Sequence, residues 1–195
     1  MAERTTDRRR ELLDAAVRTF ARQGFHAARV GDIAEEAGVA HGLLYHYFRS
    51  KEDVLETIFR ETWQLLVSDT QRIADAGVPF REQLRRFARI YLGSWLVTPE
   101  LIRVLVLEIA RSPEVGARVH EVAELFVVLR RLIEAAKERG EVRADCDARI
   151  AALAVYGALE ELLTGWVLGQ LPGEEEDVER AVKDVVELTH SGLAA

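Results

Sequence analysis

The chain has 195 residues, 49% of them apolar, and a formal charge of −7, enough for one large domain or a small one joined to a larger, and too apolar for a disordered protein. The acidic total excludes indiscriminate coating of nucleic acid, but residues 1–50 carry eight Arg or Lys against seven Asp or Glu, and the remainder 18 against 26, so the head alone approaches phosphates comfortably. The lone Cys146 excludes an intramolecular disulfide or a cysteine-rich zinc site, and with neither a signal-peptide core in MAERTTDRRRELLDAA nor a run of about 18 apolar residues, a cytoplasmic protein without a membrane role is expected.

Helical periodicity runs almost from end to end, and no alternating β-branched segment competes with it, so the expected fold class is all-α. The first helix spans about residues 8–23, with Leu12, Ala16 and Phe20 on one stripe and Leu13 and Val17 beside it. Gly24 ends it. Two short helices follow, at about 30–37 and 41–48, joined through Gly38. Ser50 caps the next helix with Asp53 placed to answer it, and that helix runs to about residue 75. Pro79, Pro99 and Pro113 each open a helix, with Thr98 and Ser112 as caps for the second and third. The segments are about 79–97, 99–111 and 114–139. Gly140 ends the last of these, and a connection through Asp145 leads to a very apolar helix at about 147–170. Pro172 and Gly173 then precede an amphipathic helix to about 192, the ninth, with no internal repeat or low-complexity tract.

Residues 30–48, VGDIAEEAGVAHGLLYHYF, carry the function, because a short helix, a glycine turn and a second short helix make a helix-turn-helix. Ile33, Ala34 and Ala37 give the first helix a small apolar face, Gly38 turns the chain and Val39 plugs the corner. Leu44 and Phe48, four apart, anchor the second helix to the core. His41, Gly42, Leu43, Tyr45, His46 and Tyr47 remain exposed, with Lys51 one turn later. Phenol and imidazole groups hydrogen-bond phosphate oxygens while their rings lie against sugars or thymine methyls, and Lys51 offers a point charge to a phosphate. The alternative is that Tyr45 and Tyr47 pack against the third helix as core aromatics.

From Arg8 to Leu55, RRRELLDAAVRTFARQGFHAARVGDIAEEAGVAHGLLYHYFRSKEDVL, the chain resembles the N-terminal domain of the TetR family. The match combines a first helix ending in Phe-x-x-x-Gly, the I-A-x-x-A-G-V turn, a Y-x-Y-F recognition helix and a following Lys with an acidic neighbour. The resemblance implies a helix-turn-helix DNA-binding domain in residues 1–50, a ligand-binding and dimerisation domain in 51–195, and a dimer made by the last two helices. There are departures. Arg29 stands where the family often has Thr, which makes a phosphate contact there charge-based. Ala40 replaces a common Ser or Thr cap worth about 1 kcal/mol, and Leu43 replaces a small polar residue and suggests an apolar contact with a thymine methyl.

The segment ARIAALAVYGALEELLTGWVLGQL is apolar on too many sides for a surface helix. Ile150, Leu153, Gly157 and Trp166, with Val178, Val182 and Val185 from the final helix, are therefore expected at a homodimer interface of four helices; the alternative is one thick monomer core. A two-fold protein suits half-sites about 34 to 36 Å apart. Candidates for lining an effector pocket are Trp95, Ile102, Leu105, Ile109, Phe126, Leu129 and Leu159, with Arg103, Glu108, His120 and Arg130 either solvated or fixing a ligand head. Residues 101–115, LIRVLVLEIARSPEV, and 156–168, YGALEELLTGWVL, are similar to acyl-CoA-responsive repressors of fatty-acid degradation within this family. That similarity implies a repressor released from double-stranded operator DNA by a small apolar effector, long-chain acyl-CoA ahead of drug-like or aromatic ligands. No cofactor or metal is expected. An enzyme lacks support: there is no Gly-rich phosphate loop or nucleophile elbow, His41 and His46 lie about 500° apart around a helix, and Glu108, Glu121 and Glu160 have no His three residues on. Cys146 is expected in a polar connection, exposed or half-buried.

Overall fold

Nine α-helices make up the described part of the chain, residues 2–109 and 120–195 of a computed structural model: α1 Ala2–Gln23, α2 Val30–Glu36, α3 His41–Tyr47, α4 Lys51–Ala74, α5 Phe80–Val97, α6 Pro99–Ile109, α7 His120–Glu138, α8 Ala148–Val167 and α9 Glu175–Leu193. The helix start expected at Pro113, with Ser112 as its cap, lies outside the described residues, as do the side chains of Ile109 and His120. The chain divides into two compact units. The first holds the chain through Thr62 together with α6 from Glu100, and the second holds Trp63–Pro99 and α7 to α9. The division expected near residue 50 therefore falls inside α4, because the buried side chains of its first half, Val54, Leu55, Ile58 and Phe59, belong to the first unit.

In the first unit α1 packs on α2 and α2 on α3. Leu12, Ala15, Ala16 and Phe20 form the inner stripe of α1, and Ile33 and Leu44 are fully buried opposite it. Gly24 takes a positive φ of 78° and its N–H donates to the Phe20 carbonyl at 2.9 Å, which closes α1 where an L side chain would be strained. Gly38, at φ 63°, makes the turn between α2 and α3, and the Val39 N–H returns to the Ala34 carbonyl at 2.9 Å. Glu36 fastens α2 to α1 by accepting from Arg18 at 2.7 Å and Arg22 at 2.9 Å. Those two guanidinium groups hold the Glu36 carboxyl below its ordinary range.

In the second unit α5 packs along α9 and α7 along α8, with Phe80, Phe87, Leu92, Leu125 and Leu159 at the centre. Asp147 caps α8 by accepting the N–H groups of Arg149 and Ile150 at 2.8 and 3.4 Å. Thr98 does not cap α6 as expected; its hydroxyl donates backward to the Ser94 carbonyl at 3.2 Å and finishes α5. Cys146 is buried instead of exposed or half-buried, its carbonyl held by Lys137 Nζ at 2.8 Å. By length and composition alone α8 is apolar enough to cross a bilayer, although Arg149, Glu160 and Glu161 interrupt its apolar run. It nevertheless lays Ala148, Ala151, Ala152, Val155, Leu159 and Leu163 into its own unit.

The loop between α8 and α9 is pinned at Gly173, whose carbonyl accepts the Trp95 indole N–H at 3.0 Å. A β-carbon at Gly173 would stand 2.7 Å from that nitrogen and 3.2 Å from the Trp166 ring, and the two indoles lean on each other with centroids 6.4 Å apart, so neither is free to yield. Gly173→Ala is therefore expected to destabilise the protein by about 1 to 3 kcal/mol. Thermal unfolding of this variant beside wild type checks it, and an unchanged midpoint would refute the close-approach account.

Candidate nucleic-acid interface and effector unit

The turn holds α3 so that one side enters the core and the other faces solvent. Leu44 and Phe48 are buried, whereas His41, Gly42, Tyr45 and His46 are exposed and Leu43 and Tyr47 half-exposed. The His41 and Tyr45 rings lie 5.7 Å apart and those of His46 and Tyr47 5.2 Å, forming two aromatic pairs along the helix. Tyr45, at 54% exposure, is not a core aromatic, which settles the alternative for that residue. The N-terminus of α2 lacks a side-chain acceptor from Arg29; instead Asp32 accepts the Arg29 N–H at 2.8 Å. That bond, with one from Gln23 at 2.9 Å, holds the Asp32 carboxyl below its ordinary range. The α4 cap forms as the sequence indicates, with Ser50 Oγ accepting the Asp53 N–H at 3.2 Å, but the Asp53 carboxylate takes the N–H of Arg49 at 2.8 Å.

Lys51 corrects an expectation. Its three ammonium donors meet three backbone carbonyls of the α1–α2 connection, Phe25 at 2.9 Å, His26 at 3.2 Å and Ala28 at 3.1 Å, and the charge sits 4.6 Å from the Phe25 ring centre. The donors that were expected to meet a phosphate are occupied by the protein. Phe25 is held from its other side as well, because Glu108 of α6 accepts its N–H at 3.3 Å. Glu108 is thereby buried in the first unit. Ile102 and Leu105 follow it, buried in the same unit, and Arg103 is exposed there. Sequence reasoning missed Arg49, which lies just past α3, is exposed, and has no side-chain ion pair among the described residues; a census of unpaired cations beside the recognition helix finds it. Arg29 is likewise exposed, and its charge adds to the lowering of the Asp32 carboxyl.

The remaining effector candidates are all in the second unit. Leu129 and Leu159 are buried in its core, Trp95 is committed to Gly173, Phe126 is half-buried and Arg130 is exposed. Phe126 packs edge-on against Tyr156 at 5.1 Å, and Tyr156 lies 5.6 Å from Tyr91 and 6.2 Å from Trp63. Within this ring of aromatics Glu160 Oε2 accepts both tyrosine hydroxyls, Tyr91 closely and Tyr156 at 3.3 Å. Burial and the neighbouring acidic groups push both phenols above their ordinary value. Glu160 stands beside the exposed Glu161, and such a pair of acids resembles a solvated turn in sequence, so this polar knot was not anticipated. Of the expected dimer residues, Ile150 and Leu153 are 63% and 54% exposed and Gly157 is exposed, with Val185 half-exposed. Trp166, Val178 and Val182 are corrections: each is at most 5% exposed within the single chain. Among the described residues no cluster of side chains suits a metal ion. Glu187 and His190 do stand three apart on α9, but Glu187 is paired with Arg81.

A glycine-turned pair of short helices presenting an aromatic outer face at the head of an all-helical chain defines a DNA-binding transcriptional regulator. Residues 12–58 match the family model of bacterial regulatory proteins of the tetR family, and residues 73–185 match the tetracyclin repressor-like C-terminal domain. The chain belongs to the TetR family. It is 27% identical over 185 residues to the fatty acid metabolism regulator protein of Bacillus subtilis, covering 94% of each chain. The fatty acid degradation regulator FadR of Bacillus halodurans superposes with a TM-score of 0.83 at 30% identity, over 94% of this chain and 98% of that one. The structure of FadR from Bacillus subtilis in complex with stearoyl-CoA gives a TM-score of 0.79 at 26% identity, with the same coverage.

Removing Lys51 tests its place. Lys51→Ala is expected to lower stability by about 1 to 3 kcal/mol, as loss of hydrogen bonds from a charged donor does, while the slope of log DNA affinity against log salt stays as in wild type. A slope reduced by about 0.9 would instead return Lys51 to a phosphate. Thermal unfolding and salt titration of DNA binding separate the two.

Proposed function

We propose that this regulator is a repressor that binds operator DNA as a homodimer and is released by a long-chain acyl-CoA. The observation that carries the effector is the likeness, over nearly the whole chain, to a regulator whose structure holds stearoyl-CoA. The second unit supports it with the apolar side chains that α5, α7 and α8 bury against one another, Phe87, Leu125, Leu129 and Leu159 among them. On this reading the α3 face of His41, Gly42, Leu43, Tyr45, His46 and Tyr47 contacts the duplex. Arg29 and Arg49 take flanking phosphates. With no Arg or Lys in His41–Tyr47, charge comes from the flanks and sequence preference from aromatic and apolar contacts.

Coupling follows from α4, a helix with residues in both units: it begins at the Lys51 clamp and carries Trp63, whose ring lies against Tyr156. An effector that displaces Trp63 acts on the helix whose first turn holds the connection to the helix-turn-helix. If it prefers the displaced state, it weakens DNA binding. Titration calorimetry with acyl-CoAs of increasing length is expected to show affinity rising by about 0.8 kcal/mol per methylene until the interior is full. Saturation should reduce affinity for an operator recovered by genomic-fragment selection by roughly 5- to 150-fold, with DNA weakening effector binding by the same factor. Absence of binding at every chain length would remove acyl-CoA as the effector and leave the DNA-binding function standing.

The dimer reading rests on the exposed face of α8 and α9, with Ile150, Leu153, Gly157 and Val185 joined by Leu188 at 76% exposure. Nothing lies within 4 Å of a β-carbon built at Gly157, so substitutions there spare the subunit's own fold. Gly157→Arg should place an unpaired charge in the interface and shift sedimentation toward monomer. A dimer that persists in this variant would point to another interface.

A further inference from the structure

Where the α1–α2 connection meets the starts of α2 and α3 lies an open recess of about 860 Å³. It shares His41 and Tyr45 with the exposed face of α3, so it continues the surface that meets the duplex. His26, exposed on the α1–α2 connection, also lines it. The His41 ring lies across Gly31 of α2, where a β-carbon would meet it at 3.4 Å, and beside the Tyr45 ring. The His26 ring stands edge-on to Phe25 at 5.5 Å, and the His26 carbonyl is one of the three that hold Lys51. The frame of the helix-turn-helix therefore positions both imidazoles while leaving them open to solvent. Arg29 of the connection, Asp32 and Glu35 of α2 and Lys51 of α4 are the other charged groups of the recess, and the Tyr45 phenol is its remaining titratable group. Two cations balance two carboxylates, so the recess has no net charge when the imidazoles are neutral and gains one positive charge with each proton that they take. The Asp32 carboxyl, held below its ordinary range first by the Arg29 N–H, stays ionised wherever histidine titrates. With no Arg or Lys in His41–Tyr47, and with bases exceeding acids by only one in residues 1–50, these protons change the charge of the head substantially.

We propose that the recess lined by His26 and His41 seats a backbone phosphate of the duplex, and that its imidazoles take up a proton as the phosphate binds. The inference rests on the DNA-binding reading of the α3 face and adds to it a phosphate seat and a pH dependence. The seat is made by side chains, since the Asp32 carboxylate already closes the start of α2 on the Arg29 N–H at 2.8 Å. An imidazolium donates from both ring nitrogens and attracts phosphate by its charge, whereas a neutral imidazole has one N–H and no charge. A phosphate held beside the ring favours the charged form. The DNA-bound protein then holds more protons than the free protein, and linkage requires its affinity for DNA to rise as pH falls through the range in which histidine changes charge, about pH 8 to 5. Acidification thus tightens DNA binding without any effector.

The test is fluorescence anisotropy with a labelled duplex carrying the operator recovered by genomic-fragment selection, titrated with the full chain at constant ionic strength between about pH 8 and pH 6. Wild type is expected to gain about tenfold in affinity over that range, which corresponds to uptake of roughly one proton. Its slope of log affinity against log salt should steepen by about 0.9 at the acid end, as one more phosphate contact requires. The His26→Gln/His41→Gln double variant should lose most of the pH gain and all of the steepening. His26→Gln alone leaves α3 intact and should retain a gain of about threefold, which keeps the test readable if the change at His41 abolishes binding. His46→Gln, on α3 outside the recess, should keep the wild-type gain. Binding by wild type with a flat pH profile overturns the proposal and leaves the DNA-binding reading standing. So does a gain that survives in the double variant, and a gain lost in His46→Gln alone would move the linkage to the outer face of α3 and overturn the recess as its seat. Failure of wild type to bind the duplex at any pH overturns the DNA-binding reading and the proposal together.

Discussion

A recognition helix of seven residues cannot hold itself together, because nucleating a helix costs more than so few hydrogen bonds return. Its position depends on what grips the backbone around it. The Lys51 ammonium, three carbonyls deep in the α1–α2 connection, is the central grip. It joins the first turn of α4 to the segment that leads into α2, and Glu108 closes the other side of Phe25. The apolar anchors Leu44 and Phe48 then seat α3 on a frame that is already fixed. Reading DNA with short helices becomes practical once the loops between them are tied as firmly as the helices.

The helix-turn-helix was legible because its signals are local. Glycines at positive φ mark the turns, Leu44 and Phe48 recur at the helical period, and Ser50 with Asp53 announces α4. What escaped was decided by partners distant in sequence. A lysine after a recognition helix has the same appearance whether it faces a phosphate or folds back onto Phe25, since the carbonyls it meets are backbone groups common to every residue. Trp166, Val178 and Val182 failed for a related reason: a helix apolar on several sides does not say which side its own subunit covers. The bond from Phe25 to Glu108 was equally hidden, because α6 belongs with the first unit although it follows directly upon α5 of the second.

The second unit combines an apolar interior with one polar knot, and the two need each other. Glu160 is tolerable amid Tyr91, Tyr156 and Phe126 because both phenols donate to it. The phenols in turn keep their aromatic faces for Phe87, Trp63 and Phe126. Such a knot fixes the relative register of α5 and α8 more sharply than apolar contact alone.

All three tryptophans of the chain, Trp63, Trp95 and Trp166, belong to the second unit, and none lies in the helix-turn-helix. Trp63 faces the Tyr156 ring, while Trp95 and Trp166 lean on each other at the α8–α9 loop. Tryptophan emission, excited at wavelengths where Tyr45 and Tyr47 do not absorb, is therefore a private signal of the second unit. The two halves of the molecule can be followed as separate channels, with natural emission for one and a single dye attached beside α3 for the other.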